Sequence, residues 1–322
     1  MIIINDIDIF VLSYNRANYI KIMIESLLAQ TVGEFEIKIL DNDSIDNTKE
    51  VVNSFNNQNI KFIGSKKNNG TLWNFQRAQS LANKKYTVMF HDDDLIHPKF
   101  LEYIVKVLNK YENISIICSG MKATITPDKK KFKDYKFNPI VFNSISKFAS
   151  LIYIGFPLNY ATVIYKTTLL KSIDMKKLND TFGKIADRPN VLEVAKQGNI
   201  VLFTGQYIQY RLHNNQDSKD NKTGPFENQT INLHKYYKKI IYSNDLILLK
   251  ICFLIYFYKY VADEYKRFYK PKLSKEEYIK KVINELQLTK KEIIISKICS
   301  FLRIGSFFKV YRLIKRNFGE YS

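Results

Sequence analysis

The sequence predicts an α/β protein in which a mostly parallel central sheet is flanked by helices and followed by a basic helical region. Three observations carry this. Short apolar, β-branched segments alternate with amphipathic segments of helical length through the first 110 residues. Polar clusters follow the first, second and fourth of those apolar segments. From residue 232 to 322 turn signals nearly vanish, and 20 Lys+Arg stand against 8 Asp+Glu.

Each element has its own reason. Ile7–Ser13 (IDIFVLS) reads as a strand, and Ala17–Gln30 as a helix with Ile20, Ile24, Leu27 and Leu28 on one face. Phe35–Leu40 is a second strand; Asp46–Phe55 is a helix that Asp43 or Ser44 is placed to cap. Ile60–Ile63 is a short strand, and Asn68-Asn69-Gly70 opens a helix over Thr71–Ala82. Tyr86–Phe90 is a fourth strand ending at His91-Asp92-Asp93-Asp94, and Pro98–Lys110 a helix with proline in its first turn. Such alternation implies βαβ units and a sheet covered on both faces. Ligands of such sheets bind beyond the carboxyl ends of the strands, where Ser13–Arg16, Asp41–Ser44 and His91–Asp94 all fall.

Composition narrows the classes. At 322 residues, 46% hydrophobic and 25% charged, the chain can bury a large core and is not disordered; 11 Gly and 7 Pro exclude a collagen-like chain. Cys118, Cys252 and Cys299 form no CxxC pair, which fits a reducing cytoplasm rather than a disulfide or zinc framework. MIIINDIDIFVLSYNR lacks the basic start and cleavage site of a signal peptide. The uncharged run from Phe148 to Tyr165 is broken by Gly155, Pro157 and Asn159, and ICFLIYFY at 251–258 is too short to span a bilayer. The net charge of +19 asks for an anionic partner. Residues 232–322 supply +12 of it and the first 231 residues +7.

The rim carries no GxGxxG and no GxxxxGK[ST], which argues against dinucleotide oxidoreduction and P-loop phosphoryl transfer. It does carry three consecutive aspartates. Adjacent carboxylates are costly to bury without a cation, and hard oxygen ligands favour Mg²⁺ or Mn²⁺ shared with a substrate's phosphates. An exposed acidic turn, or Asp94 as the N-cap of the next helix, remains the plain alternative.

Read together, FVLSYNR, ILDNDSIDNT, NNGTLWNFQRA and MFHDDDLIHP resemble the glycosyltransferase family 2 nucleotide-sugar transferases, in the right order and across most of residues 5–215. The resemblance implies the GT-A fold: a catalytic domain over 1–230, with a Rossmann-like nucleotide-binding half (about 1–118) and an acceptor half (about 119–230). Residues 231–322, the basic aromatic-rich helical region, lie outside it. It implies that Tyr14 lies against the nucleobase with Ser13, Asn15 and Arg16 nearby, and that Asp41 hydrogen-bonds the base imide, a preference for uracil. Asp43, Asn69 and Gly70 join that donor site. The family's Asp-x-Asp metal motif falls on His91–Asp94, with Asp93 and Asp94 as ligands, Asp92 near the ribose and diphosphate, and His91 where an acid is usual. TFGKIADRPNVLEVAKQGNI resembles the segment presenting the catalytic base, here Asp187, followed by Arg188 for the diphosphate or for Asp187 itself; a capping Asp187 is the alternative. YIQYRLHNNQDS resembles the loop closing over the donor, bringing Arg211 to the diphosphate and His213 to the metal.

The expected enzyme is thus a Mn²⁺- or Mg²⁺-dependent inverting hexosyltransferase taking a nucleotide-sugar, most simply a UDP-sugar, to a glycan or lipid-linked acceptor. Abundant Lys, Asn and Ile suggest AT-rich bacterial DNA and hence a surface polysaccharide or lipo-oligosaccharide. The basic region suits an anionic membrane surface, through Leu254–Tyr269 and Phe301–Phe318, with homodimerisation through the same helices as competitor. A nucleic-acid binder would need a recognisable module, and a sugar nucleotidyltransferase a Gly-rich N-terminal loop; the sequence offers neither.

Overall fold

Every residue of β1 (Ile7–Ser13) is buried, as a strand inside a doubly covered sheet must be. The computed structural model describes residues 1–133, 135, 137–155, 158, 163–213, 216, 227–244, 246–265 and 272–301. β1 pairs in parallel with β2 (Ile37–Asp41) and β4 (Tyr86–His91), and β2 with β3 (Ile60–Gly64). The crossovers are α1 (Ala17–Leu28), α2 (Thr48–Asn53) and α3 (Thr71–Leu81). The register sets Ser13 opposite Asp41 and Leu12 opposite His91, so three strand ends open on one rim.

The expected helix over Pro98–Lys110 begins later, as α4 (Phe100–Lys110), because Leu95–Ile96 forms a strand, β5. Asp94 therefore caps no helix; its carboxylate is taken by a backbone N–H described below. The second half of the sheet is mixed. β6 (Ile114–Thr124), β7 (Pro139–Phe142), β8 (Ile164–Lys166) and β9 (Asn199–Arg211) follow, interleaved with α5 (Ile145–Tyr153), α6 (Thr167–Lys171), α7 (Met175–Phe182) and α8 (Asp187–Ala195). Strand order is β3-β2-β1-β4-β8-β6-β9-β5, with β7 on β9. β6 and β9 run parallel; β8, β5 and β7 pair antiparallel to their neighbours.

Two apolar cores lie on the two faces of the sheet. One joins Ile20, Ile24 and Leu27 of α1 to Phe100, Ile104 and Val107 of α4. The other runs from Phe10 and Leu12 of β1 through α5 and α8 into the C-terminal helices α9 (Glu227–Tyr242), α10 (Ile247–Tyr265) and α11 (Lys275–Glu285). A last helix, α12 (Lys290–Phe301), packs on α10. The segment Leu254–Tyr269, expected to lie in a lipid interface, is instead largely core: Leu254, Tyr256, Phe257 and Val261 are buried. Its aromatic rings pack inward, Phe257 on Phe253 (5.7 Å) and Tyr260 on Tyr153 of α5 (5.5 Å). Residues 266–269, and 302–318 of the second expected segment, lie outside the described residues. No helix among the described residues is long and apolar enough to cross a membrane.

One buried ion pair anchors β1. Asp8 is fully buried and accepts from Lys38 Nζ (2.8 Å) and the N–H groups of Asn83 (2.6 Å) and Lys84 (2.8 Å). Burial pushes its pKa up, but these donors outweigh it and hold the carboxyl below its ordinary value. Asp8→Ala strands a mostly buried lysine and two N–H groups, and should cost about 3–5 kcal/mol in a urea titration. Because the folded-state pKa is depressed, the native pair's contribution is complete above pH ~4 and fades as pH falls through the folded value. The variant's deficit should therefore shrink in acid.

Candidate active site

The first strand-end loop is built by backbone strain and side-chain locks. Asn15 sits at φ 53°, a left-handed position that Asn tolerates. Its N–H donates to Ser44 Oγ (2.8 Å) and its Oδ1 accepts from Ile45 N–H (2.9 Å), so the loops after β1 and β2 are tied together. Asp41 accepts from Ser44 through both oxygens, N–H to Oδ2 at 2.9 Å and Oγ to Oδ1 at 2.5 Å. Neither Asp43, at φ 67°, nor Ser44 caps α2, which begins only at Thr48; Asp46 Oδ1 accepts from Thr48 N–H (3.1 Å) instead. Asn42, which the sequence did not single out, donates to Asn68 Oδ1 and Gly70 O and accepts from Asn69 N–H. It holds the Asn69-Gly70 loop, where Gly70 at φ 85° leaves the rim uncluttered. Arg77 reinforces the same rim from α3 by donating to the carbonyls of Asp41, Ile63 and Gly64.

The three aspartates divide. Asp92 accepts from Tyr14 N–H (3.3 Å) and faces Arg16 Nε at 3.6 Å, joining the first loop to β4. Tyr14 leaves its ring exposed. Asp93 Oδ2 lies 2.8 Å from His213 Nε2, and its carbonyl accepts from Arg211 Nε (2.8 Å). Asp94 Oδ1 accepts from Arg211 N–H (3.0 Å), and its Oδ2 lies 3.9 Å from His91 Nδ1. One ligand atom each from His91, Asp93 and Asp94 falls within 4.8 Å of the others. His91, set aside in the sequence as an absent acid, is thus part of the cluster.

Electrostatics favour a cation there. Burial first, and then the Asp93 charge, push Asp92 up to about 8, against the pull of Arg16 and Ser13. The same two causes raise Asp94 well above the usual carboxylate range. The residues around the triad therefore supply too little positive charge for three carboxylates, and a divalent ion would correct that deficit. Two carboxylates and an imidazole fit Mn²⁺ better than Mg²⁺, which prefers oxygen ligands alone.

Above the cluster, Tyr19 of α1 organises the end of β9. Its ring packs on His213 (4.7 Å between centroids) and under the Arg211 guanidinium (5.0 Å). Arg211 is 9% exposed, and its Nη2 is buried without a hydrogen-bond partner among the described residues, a donor left for an anionic ligand. Asp187 is exposed at the first turn of α8, where its Oδ1 accepts from Arg188 N–H (2.9 Å). The Arg188 guanidinium hydrogen-bonds the Tyr260 hydroxyl of α10 and lies 5.9 Å from that ring's centroid. Arg188 thus ties the start of α8 to α10.

The family model for glycosyl transferase family 2 matches residues 8–166, from β1 to the end of β8. An uncharacterized glycosyltransferase of Haemophilus influenzae is 26% identical over 261 residues, covering 76% of this chain and 80% of that protein. The chondroitin synthase of Pasteurella multocida is 32% identical over 124 residues, covering 38% of this chain and 13% of the synthase. Among solved structures, S. aureus TarS 1–349 in complex with UDP-GlcNAc superposes with a TM-score of 0.60 at 16% identity, over 96% of this chain and 90% of that one. That likeness shows the GT-A-like architecture, and the family match with the glycosyltransferase relatives shows that this chain carries a glycosyltransferase family 2 domain and is a glycosyltransferase.

Proposed function

We propose that the protein is a metal-dependent inverting transferase that moves a sugar from a UDP-sugar to an acceptor hydroxyl in bacterial surface-glycan synthesis. The observation that carries this is the His91–Asp93–Asp94 cluster at the carboxyl ends of the strands, with two of the three rim aspartates held above their ordinary pKa. Support for the donor comes from TarS, whose structures hold UDP-GlcNAc and UDP, and support for a glycan product from the names of the Pasteurella chondroitin and hyaluronan synthases.

His91, Asp93 and Asp94 would hold the cation, with His213 against Asp93; bound there, it would supply positive charge to the departing diphosphate. The remaining work falls to side chains. Arg211 Nη2 donates to the diphosphate, and Arg16 neutralises Asp92 beneath it. Tyr14 offers its exposed ring to the base, while Ser13, Asn15, Asp41, Asp43, Asn69 and Gly70 shape that pocket, and Arg188 stands beside Asp187 at the start of α8. Asp187 takes the proton as the acceptor oxygen bonds to the anomeric carbon. The bond from that carbon to the diphosphate oxygen breaks, and UDP departs. The basic C-terminal region would keep this chemistry at the cytoplasmic face of an anionic membrane, near a lipid-linked acceptor.

Calorimetry with UDP, GDP and CMP, with and without Mn²⁺, tests the reading. UDP should bind and Mn²⁺ should tighten it; absence of nucleotide binding under every condition would sink it. Tyr19 gives a finer check. Tyr19→Ala should weaken Mn²⁺–UDP binding about tenfold, the scale of a lost cation–π contact and ring stack. Tyr19→Phe, which keeps the ring, should bind as the wild type does.

A further inference from the structure

Large apolar side chains on a folded surface are usually scattered, but α10 and α12 concentrate four of them. Ile247 and Ile251 on α10 are 71% and 38% exposed, and Ile294 and Ile298 on α12 are 56% and 50% exposed. Each pair is spaced i,i+4, so each forms a stripe along its helix. The two helices pack against one another. Lys297, between the two isoleucines of α12, reaches the Tyr258 ring of α10 at 6.0 Å. Tyr258 lies seven residues, about two turns, beyond Ile251 on the same flank, so the two stripes border one continuous face.

Charge on that face has one sign. Lys290, Lys291 and Lys297 are exposed on α12. Its acid, Glu292, is turned away to the Tyr242 hydroxyl (2.9 Å) and to the N–H of Thr289 (2.8 Å). Isoleucines at about half exposure ringed by lysines match an anionic bilayer, which takes the apolar tips between headgroups and the ammonium groups at the phosphates. A second copy fits less well, because a two-fold contact would set these lysines against their own copies. Residues 302–322 fit less well too, since Arg303, Lys309, Arg312, Lys315 and Arg316 against Glu320 carry the same sign.

We infer that the Ile247/Ile251–Ile294/Ile298 face of α10 and α12, with Lys290, Lys291 and Lys297, is a docking surface for an anionic lipid membrane. The inference rests on the membrane reading of the basic region given above and relocates it from the aromatic stretch, which is core, to this face.

Co-sedimentation of the full chain with phosphatidylglycerol/phosphatidylcholine vesicles, and with phosphatidylcholine alone, tests it. The wild type should bind the anionic vesicles and leave the neutral ones. Each lysine near an anionic surface is worth roughly a factor of five, so Lys290→Gln/Lys291→Gln/Lys297→Gln should lower partitioning about a hundredfold. Ile294→Ser/Ile298→Ser should lower it at least about tenfold, and both variants should keep wild-type UDP binding. No binding by the wild type overturns the membrane reading and this inference together. Wild-type binding that both variants retain overturns this face alone. A wild-type dimer that the isoleucine variant converts to monomer in ultracentrifugation overturns it in favour of a contact between copies.

Discussion

Asp93→Ala should lower kcat/KM for Mn²⁺-dependent sugar transfer by about a thousandfold or more, the scale of losing roughly 4 kcal/mol of charge stabilisation in the transition state. The same substitution should leave the metal-free fold as stable as the wild type, or more so. Asp93 raises the pKa of both neighbours by like-charge repulsion, and its removal relieves that repulsion inside a buried cluster. Activity and thermal stability are thus expected to move in opposite directions, the pattern of a residue kept for function at some cost to stability. Thermal melts without metal and steady-state rates with it would show both halves. Retention of transfer within tenfold would remove Asp93 from the metal site.

Asp187→Asn should reduce kcat by about a hundredfold to ten-thousandfold while UDP binding stays at its wild-type value. The amide oxygen of asparagine can still accept from Arg188 N–H, so the start of α8 is preserved and only the proton acceptor is lost. If Asp187 merely begins the helix, kcat will stay within a few-fold. Single-turnover rates at saturating donor separate the two outcomes, because they read the chemical step without donor affinity.

The first four strands were legible because their signal is local. Ile7–Ser13 and Tyr86–Phe90 are apolar runs bounded by polar clusters, and the clusters fall where βαβ geometry puts a binding rim. The aspartates were legible for the same reason. Their division of labour was not: which of them meets Arg16, and which His213, depends on β9 returning some 120 residues later to lie over β4's end. Asn42, Tyr19 and Arg77 were missed for a related reason. Each is an ordinary residue in its own segment and gains its role from partners on other elements. The capping alternative for Asp94 failed, although the turn before Pro98 looks like a helix start. Pairing of Leu95–Ile96 with Ile208–Gln209 overrides that local preference. The C-terminal aromatic run misled in the opposite way, since periodicity alone cannot tell a lipid-facing stripe from one facing a protein core.

The Arg188–Tyr260 contact has a geometric consequence. Tyr260 and Ile251 stand on one continuous helix, nine residues or about 13 Å apart along its axis. One end of that rod touches the residue next to Asp187, and the other carries the apolar flank of the proposed docking face. With that face on a bilayer, α10 would hold the start of α8 at a fixed offset, about 13 Å along the helix, from the membrane-facing isoleucines.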